Sequence, residues 1–126
     1  MTTKNKTILV IEDEAPLRRV LKDILSFEGY TIIEAVNGVE GLEMAISKHP
    51  DLILLDIVMP RMDGLLLLQK LRADEWGKTA RVMILTNLSD NAEVIKVSEA
   101  EGLPYFVKTD IKIEEVIVKI KEVLGV

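Results

Sequence analysis

Four apolar runs in this chain each end abruptly on polar or charged side chains. Ile8-Leu9-Val10-Ile11 is followed by Glu12-Asp13, Leu52-Ile53-Leu54-Leu55 by Asp56, Val82-Met83-Ile84-Leu85 by Thr86, and Tyr105-Phe106-Val107 by Lys108. If these ends meet, Glu12, Asp13 and Asp56 make a pocket of three carboxylates, which repel one another unless a cation neutralises them. An all-oxygen donor set favours Mg2+, Mn2+ or Ca2+ over zinc. Few protein ligands in an open pocket favour Mg2+, which keeps its waters and bridges to phosphate oxygens. The Lys108 ammonium and the Thr86 hydroxyl suit phosphate oxygens. Acid, metal, lysine and hydroxyl together point to phosphoryl transfer, with one aspartate as the nucleophile that forms an acyl phosphate.

Such a pocket needs elements that deliver the run ends to one place. The runs starting at Ile8, Leu52 and Val82 are short and continuously apolar, as in strands buried on both faces, and Tyr105-Phe106-Val107 reads as a further strand. Helical patterns lie between them. Leu17, Val20, Leu21, Ile24 and Leu25 recur at helical spacing before the stop signal Gly29. Residues 30–35 read as a further, less apolar strand. Asn37 and Glu40 form a capping-box pattern for a helix carrying Val39, Leu42 and Ile46, which ends at Pro50. Residues 64–72 read as the third helix. Asp90 and Glu93 make a second capping pair, for a helix running to about Ala100. Ile113, Val116, Ile117, Ile120 and Leu124 give the last helix an apolar stripe. Five strand-then-helix units with short connections demand parallel strands and right-handed crossovers. The expected fold is therefore α/β, a doubly wound five-stranded parallel sheet of the flavodoxin-like (βα)5 kind in a three-layer α/β/α sandwich. Ligands of such sheets sit beyond the carboxyl ends of the strands. The crossovers also make the first and third strands neighbours, so Glu12, Asp13 and Asp56 are expected to converge.

Composition excludes several rival chemistries. The 126 residues hold no cysteine and one histidine, so a disulfide framework, a thiolate metal site and a cysteine nucleophile are all ruled out. Sixteen basic against 21 acidic side chains give a net charge of −5, which argues against direct nucleic-acid binding. No apolar stretch approaches the ~18 residues of a membrane helix, and residues 1–7 do not read as a signal peptide. The expectation is a single cytoplasmic domain spanning 1–126, whose last helix leaves no length for an output domain. The turn Glu12-Asp13-Glu14-Ala15-Pro16 is acidic and lacks the glycines that a dinucleotide or P-loop site requires.

At this level of detail the chain resembles the receiver domain of bacterial two-component response regulators, of the chemotaxis-regulator kind. The resemblance rests on the acidic pair Glu12-Asp13, on Thr86, and on Tyr105-Phe106-Val107-Lys108. It rests also on Asp56-Ile57-Val58-Met59-Pro60-Arg61-Met62-Asp63-Gly64, which is similar to the family's D-x-x-M-P-x-x-D-G. It implies that Asp56 is a phosphoacceptor fed by a histidine kinase or phosphotransfer protein. Asp13 would ligate Mg2+ directly, Glu12 mainly through metal-bound water, and Val58 through its backbone carbonyl. Lys108 would pair with the phosphoryl oxygens. Thr86 would move to hydrogen-bond one of them, and Tyr105 would turn inward with it. The output would be a changed surface on the fourth helix, fifth strand and fifth helix, read by a downstream protein, with the chain a monomer or a weak phosphorylation-dependent dimer. On this reading the chain is not an enzyme beyond assisting its own phosphorylation and dephosphorylation. Val58 and Leu88, two residues past Asp56 and Thr86, would limit water access to the acyl phosphate.

Other readings compete at individual positions. A Mg2+-dependent phosphohydrolase or phosphotransferase would carry an acid two residues after its nucleophile, where this chain has Val58. A pseudo-receiver that only binds partners would not need the full set Asp13, Asp56, Thr86 and Lys108. Tyr105 reads equally as an ordinary half-buried strand aromatic, His49 as a surface residue, and Trp76 as a cover over the rim of the core. Asp63-Gly64 reads as a turn and helix start. Leu66 falls off the core-facing stripe of Leu67, Leu68 and Leu71, as a tolerated surface leucine or a contact point. Thr109 stands where the family usually has proline. Lys112 stands where the last helix lacks its preferred cap, a role expected to pass to Asp110.

Overall fold

The computed structural model describes residues 6–59, 61–86 and 92–126. Strands β1 (Thr7–Ile11), β2 (Thr31–Ala35), β3 (Leu52–Asp56), β4 (Val82–Thr86) and β5 (Tyr105–Val107) pair in parallel, in the order β2-β1-β3-β4-β5. Helices α1 (Ala15–Phe27), α2 (Gly38–Lys48), α3 (Gly64–Ala73), α4 (Ala92–Glu101) and α5 (Ile113–Leu124) follow them in turn. This is the flavodoxin-like order, with the first and third strands adjacent at the switch point.

The central strands β1, β3 and β4 have no polar face because both faces are covered. Leu9, Ile11, Ile53, Leu55 and Ile84 point to one side, where Ala45 of α2, Leu67 and Leu71 of α3 and Val94 of α4 meet them. Ile8, Val10, Leu54, Met83 and Leu85 point to the other, against Leu21 and Leu25 of α1 and Val116 and Ile120 of α5. Burying each such aliphatic side chain stabilises the fold by about 1.5–3 kcal/mol relative to exposure. No helix among the described residues is long and apolar enough to cross a membrane.

The helix boundaries follow local chemistry. The Asn37 side chain accepts from the Glu40 backbone N–H at 2.9 Å. The Glu40 carboxylate reaches back to the Val36 N–H at 2.9 Å, one residue ahead of the usual reciprocal partner. α2 closes on His49, which takes the left-handed conformation at φ 49° that glycine would adopt without strain. The exposed His49 ring stacks on Trp76 with centroids 4.4 Å apart, a contact that sequence spacing does not reveal. Trp76 otherwise covers the core rim as expected.

The last helix departs from expectation. Asp110 does not cap α5, since it lies in a 3-10 turn spanning Lys108–Asp110. The N-cap position falls to Lys112, which makes no side-chain capping bond, and Glu114 and Glu115 supply the negative charge of the first turn. Leu66 is partly exposed, while Leu67, Leu68 and Leu71 are buried. The expectations for Pro60, Leu88 and Asp90 fall outside the described residues.

Candidate functional site

Two of the four run ends lie inside the sheet. β3 and β4 each continue one residue past their apolar runs, so Asp56 pairs in register with Leu85, and Thr86 with Val107. The ladder that buries Leu55 and Leu85 therefore also buries Asp56 and Thr86, which are 1% and 5% exposed. At the end of β1 the Glu12 backbone N–H still donates to the Ala35 carbonyl at 3.1 Å, and its side chain is wholly buried. Asp13, one residue on, is exposed.

Glu12, Asp13 and Asp56 bring one carboxylate oxygen each within 4.8 Å of one another. Lys108 enters from the end of β5. Its Nζ lies 3.1 Å from Glu12 Oε2, 2.7 Å from Glu14 Oε2 and 3.3 Å from Asp56 Oδ2. Backbone groups hold the carboxylates in place. The Glu14 N–H donates to Glu12 Oε2 at 2.9 Å, and the Val58 N–H to Asp56 Oδ1 at 3.3 Å. Arg18 on α1 donates to the Glu12 carbonyl at 2.9 Å and pairs with Glu34 at 3.3 Å, tying the end of β1 to β2.

The turn after β3 explains two motif residues. The Asp63 side chain accepts from the Leu66 N–H at 2.9 Å and caps α3. At Gly64, a Cβ would lie 2.7 Å from the Ile57 Cα and 2.8 Å from the Asp56 carbonyl oxygen, so only glycine lets α3 start directly against the strand end that carries Asp56.

One ammonium does not satisfy this pocket. Burial, then the Glu12 charge, pushes the Asp56 carboxyl up to about 8 against the opposing pull of Lys108. Burial likewise raises Glu12, against hydrogen bonds from Glu14 and Lys108. Burial pulls the Lys108 ammonium down, but Glu14, Asp56 and Glu12 outweigh it and hold its pKa above the usual lysine value. Glu12 Oε1 is buried without a hydrogen-bond partner among the described residues, and Asp56 Oδ2 has only its ion pair with Lys108 at 3.3 Å. One unpartnered and one weakly paired buried carboxylate oxygen, beside a third carboxylate, make a donor set that fits a hard divalent cation.

The structure thus brings together Glu12, Asp13, Asp56 and Lys108, with Thr86 buried on the next strand. Tyr105 stands further off at the start of β5, 40% exposed. Val58 is exposed beside Asp56. Glu14 and Arg18 are the parts that sequence reasoning missed. Glu14 sat in view within the acidic turn, but only the return of β5 makes it a partner of Lys108.

Fold and site define a doubly wound α/β domain with an acid-lysine pocket at its switch point. Residues 8–121 match the model of the response regulator receiver domain, and the chain belongs to that family. It is 39% identical over 105 residues to the probable transcriptional regulator ycf27 of Porphyridium aerugineum, covering 83% of this chain and 42% of that one. It is 31% identical to sporulation initiation phosphotransferase F of Bacillus subtilis, covering 82% of each. Among solved structures, the response regulator TrrA of Thermotoga maritima, in complex with Mg(2+)-BeF, superimposes with a TM-score of 0.79 at 34% identity, over 94% of this chain and 99% of that one. The chain spans about half the length, 41–50%, of several curated relatives that it matches.

Proposed function

We propose that this chain is a phosphorylation-dependent signalling switch, in which Asp56 accepts a phosphoryl group from a phosphohistidine on a sensor kinase or phosphotransfer protein. The observation that carries this reading is the convergence of Glu12, Asp13, Asp56 and Lys108 from three strand ends, with buried carboxylate oxygens left unpartnered or weakly paired. Asp13, Asp56 and the Val58 carbonyl would hold Mg2+, with Glu12 acting mainly through its waters. The Mg2+-BeF complex of the Thermotoga relative supports this assignment. When bound, the cation supplies positive charge that keeps Asp56 ionised and offsets the charge on the phosphoryl oxygens.

The residues then divide the work. An Asp56 oxygen attacks phosphorus, and the P–N bond of the phosphohistidine breaks with its electron pair leaving on the imidazole nitrogen. Lys108 neutralises the phosphoryl oxygens, and the Thr86 hydroxyl hydrogen-bonds one of them. Thr86 and Tyr105 lie on paired strands, so a movement at the first reaches β5 directly. Ile95, Tyr105 and Val118 leave apolar surface on α4, β5 and α5 for a downstream protein. The chain acts in the cytoplasm as a monomer or a weak phosphorylated dimer. It is a phosphoacceptor and not a turnover enzyme, and its net charge of −5 keeps it off nucleic acid.

The test is incubation with Mg2+ and acetyl phosphate, followed by intact mass. Wild type is expected to gain one phosphoryl group, and Asp56→Asn to gain none. A wild type that stays unmodified, or an Asp56→Asn protein modified equally, overturns the reading. Turnover of generic phosphate esters would instead favour a hydrolase.

A further inference from the structure

We propose that Glu14 is a positioning residue that competes with the phosphoryl group for Lys108. This rests on the phosphoacceptor reading above and adds a residue to it. An ammonium carries three N–H donors and no acceptor. Lys108 already faces three carboxylates, with Nζ 3.1 Å from Glu12, 2.7 Å from Glu14 and 3.3 Å from Asp56. A phosphoryl oxygen arriving at Asp56 is a further acceptor, and one existing partner has to yield.

The three partners are not equivalent. The Glu12 and Asp56 side chains are 0% and 1% exposed, whereas Glu14 is 58% exposed. Water solvates a released Glu14 carboxylate at once, whereas a released Glu12 would stay buried without its ammonium, and Asp56 itself carries the arriving group and holds it beside Lys108. The shortest of the three contacts is therefore the cheapest to break, and Glu14 is the partner that leaves. Glu14 is not needed to keep Lys108 in the pocket. The Lys108 side chain is 6% exposed and retains two buried carboxylates when Glu14 is gone.

Glu14 also sits at the N-cap of α1 without a side-chain capping bond, so replacing it removes no cap. With Glu14 attached, Lys108 is partly occupied and the resting pocket binds a phosphoryl group less readily.

The experiment is calorimetric titration of beryllofluoride into the protein at saturating Mg2+, with wild type, Glu14→Gln, Glu14→Ala and Glu14→Asp. Glu14→Ala is expected to bind about two- to fivefold tighter, the range of an exposed ion pair, and Glu14→Gln to tighten in the same direction. Glu14→Asp keeps the charge but falls one methylene short of Lys108, and is expected to follow Glu14→Ala. Three results overturn the competition: unchanged affinity in Glu14→Ala, weaker affinity in it, or a Glu14→Asp protein that binds like wild type while Glu14→Ala tightens. The last result would assign the effect to charge at a distance. Each leaves the phosphoacceptor reading standing, because wild type still binds. A wild type that binds no beryllofluoride with Mg2+ removes both. Thermal melts of the four proteins verify that each is folded.

Discussion

The bodies and the tips of the central strands are one residue apart and chemically opposite. Leu54 and Leu55 are fully buried among aliphatic neighbours on the two faces of the sheet, and nothing about them is unsatisfied. Asp56 is as deeply buried, yet its Oδ2 has only a 3.3 Å ion pair with Lys108, and burial pushes its carboxyl up to about 8. The same ladder that lowers the free energy of the bodies raises that of the tips, because desolvation favours a leucine and penalises a carboxylate. Stability resides in the bodies and reactivity in the tips, and the fold tolerates the second because the first is large.

Opposite signs of mutational effect test this division. Leu54→Ala removes a fully buried side chain and is expected to destabilise by about 3 kcal/mol, within the ~2–5 range for such cavities, measured by urea unfolding. A loss below ~1 kcal/mol would break the contrast. Asp56→Asn, two residues on, is expected to stabilise the metal-free protein by about 1–2 kcal/mol near neutral pH, since it removes a carboxyl that burial forces to take up a proton the unfolded chain has released. Destabilisation by Asp56→Asn would show that the tip carries fold stability after all.

The pH dependence sharpens the same point. Asp56 has a folded pKa of about 8 and an unfolded pKa near ~3.9, so between those values the folded chain holds a proton that the unfolded chain has released. Protons bound in excess by the folded state make stability fall as pH rises. Metal-free wild type is therefore expected to lose at most ~1.4 kcal/mol per pH unit from this group between about pH 4 and pH 8. The raised Glu12 acts in the same direction. Asp56→Asn should flatten the melting-temperature profile across this window, and Mg2+ should do the same to wild type by holding the carboxylates ionised. A wild-type profile that rises with pH would overturn the assignment.

The smallest effect is expected far from both regions. Leu66 is 41% exposed on α3, and Leu66→Glu should change stability by less than ~0.5 kcal/mol. If sedimentation or kinase-binding measurements change while stability does not, Leu66 belongs to a contact surface. If neither changes, it is a tolerated surface leucine.

Much of this was legible in the chain itself. The apolar runs at Ile8, Leu52 and Val82 determine strands covered on both faces, because no other element buries four consecutive large aliphatic residues so completely. The polar residues that break those runs, Glu12, Asp56 and Thr86, together with Lys108 after the Tyr105 run, determine where chemistry has to sit once the strands are parallel. Capping at Asn37 and Asp63 was equally local, since it needs only a side chain and a backbone N–H within three residues. Only the tertiary structure decided how the pocket's charges are apportioned. Lys108 lies 94 residues from Glu14 and 96 from Glu12, and its choice of partners depends on how β5 returns beside β4 and beyond the end of β1. The stack of His49 on Trp76 was hidden for the same reason. Spacing along a chain sets local hydrogen bonds and the alternation of faces. Contacts between distant segments follow from the packing of whole elements, and no short stretch of sequence contains them.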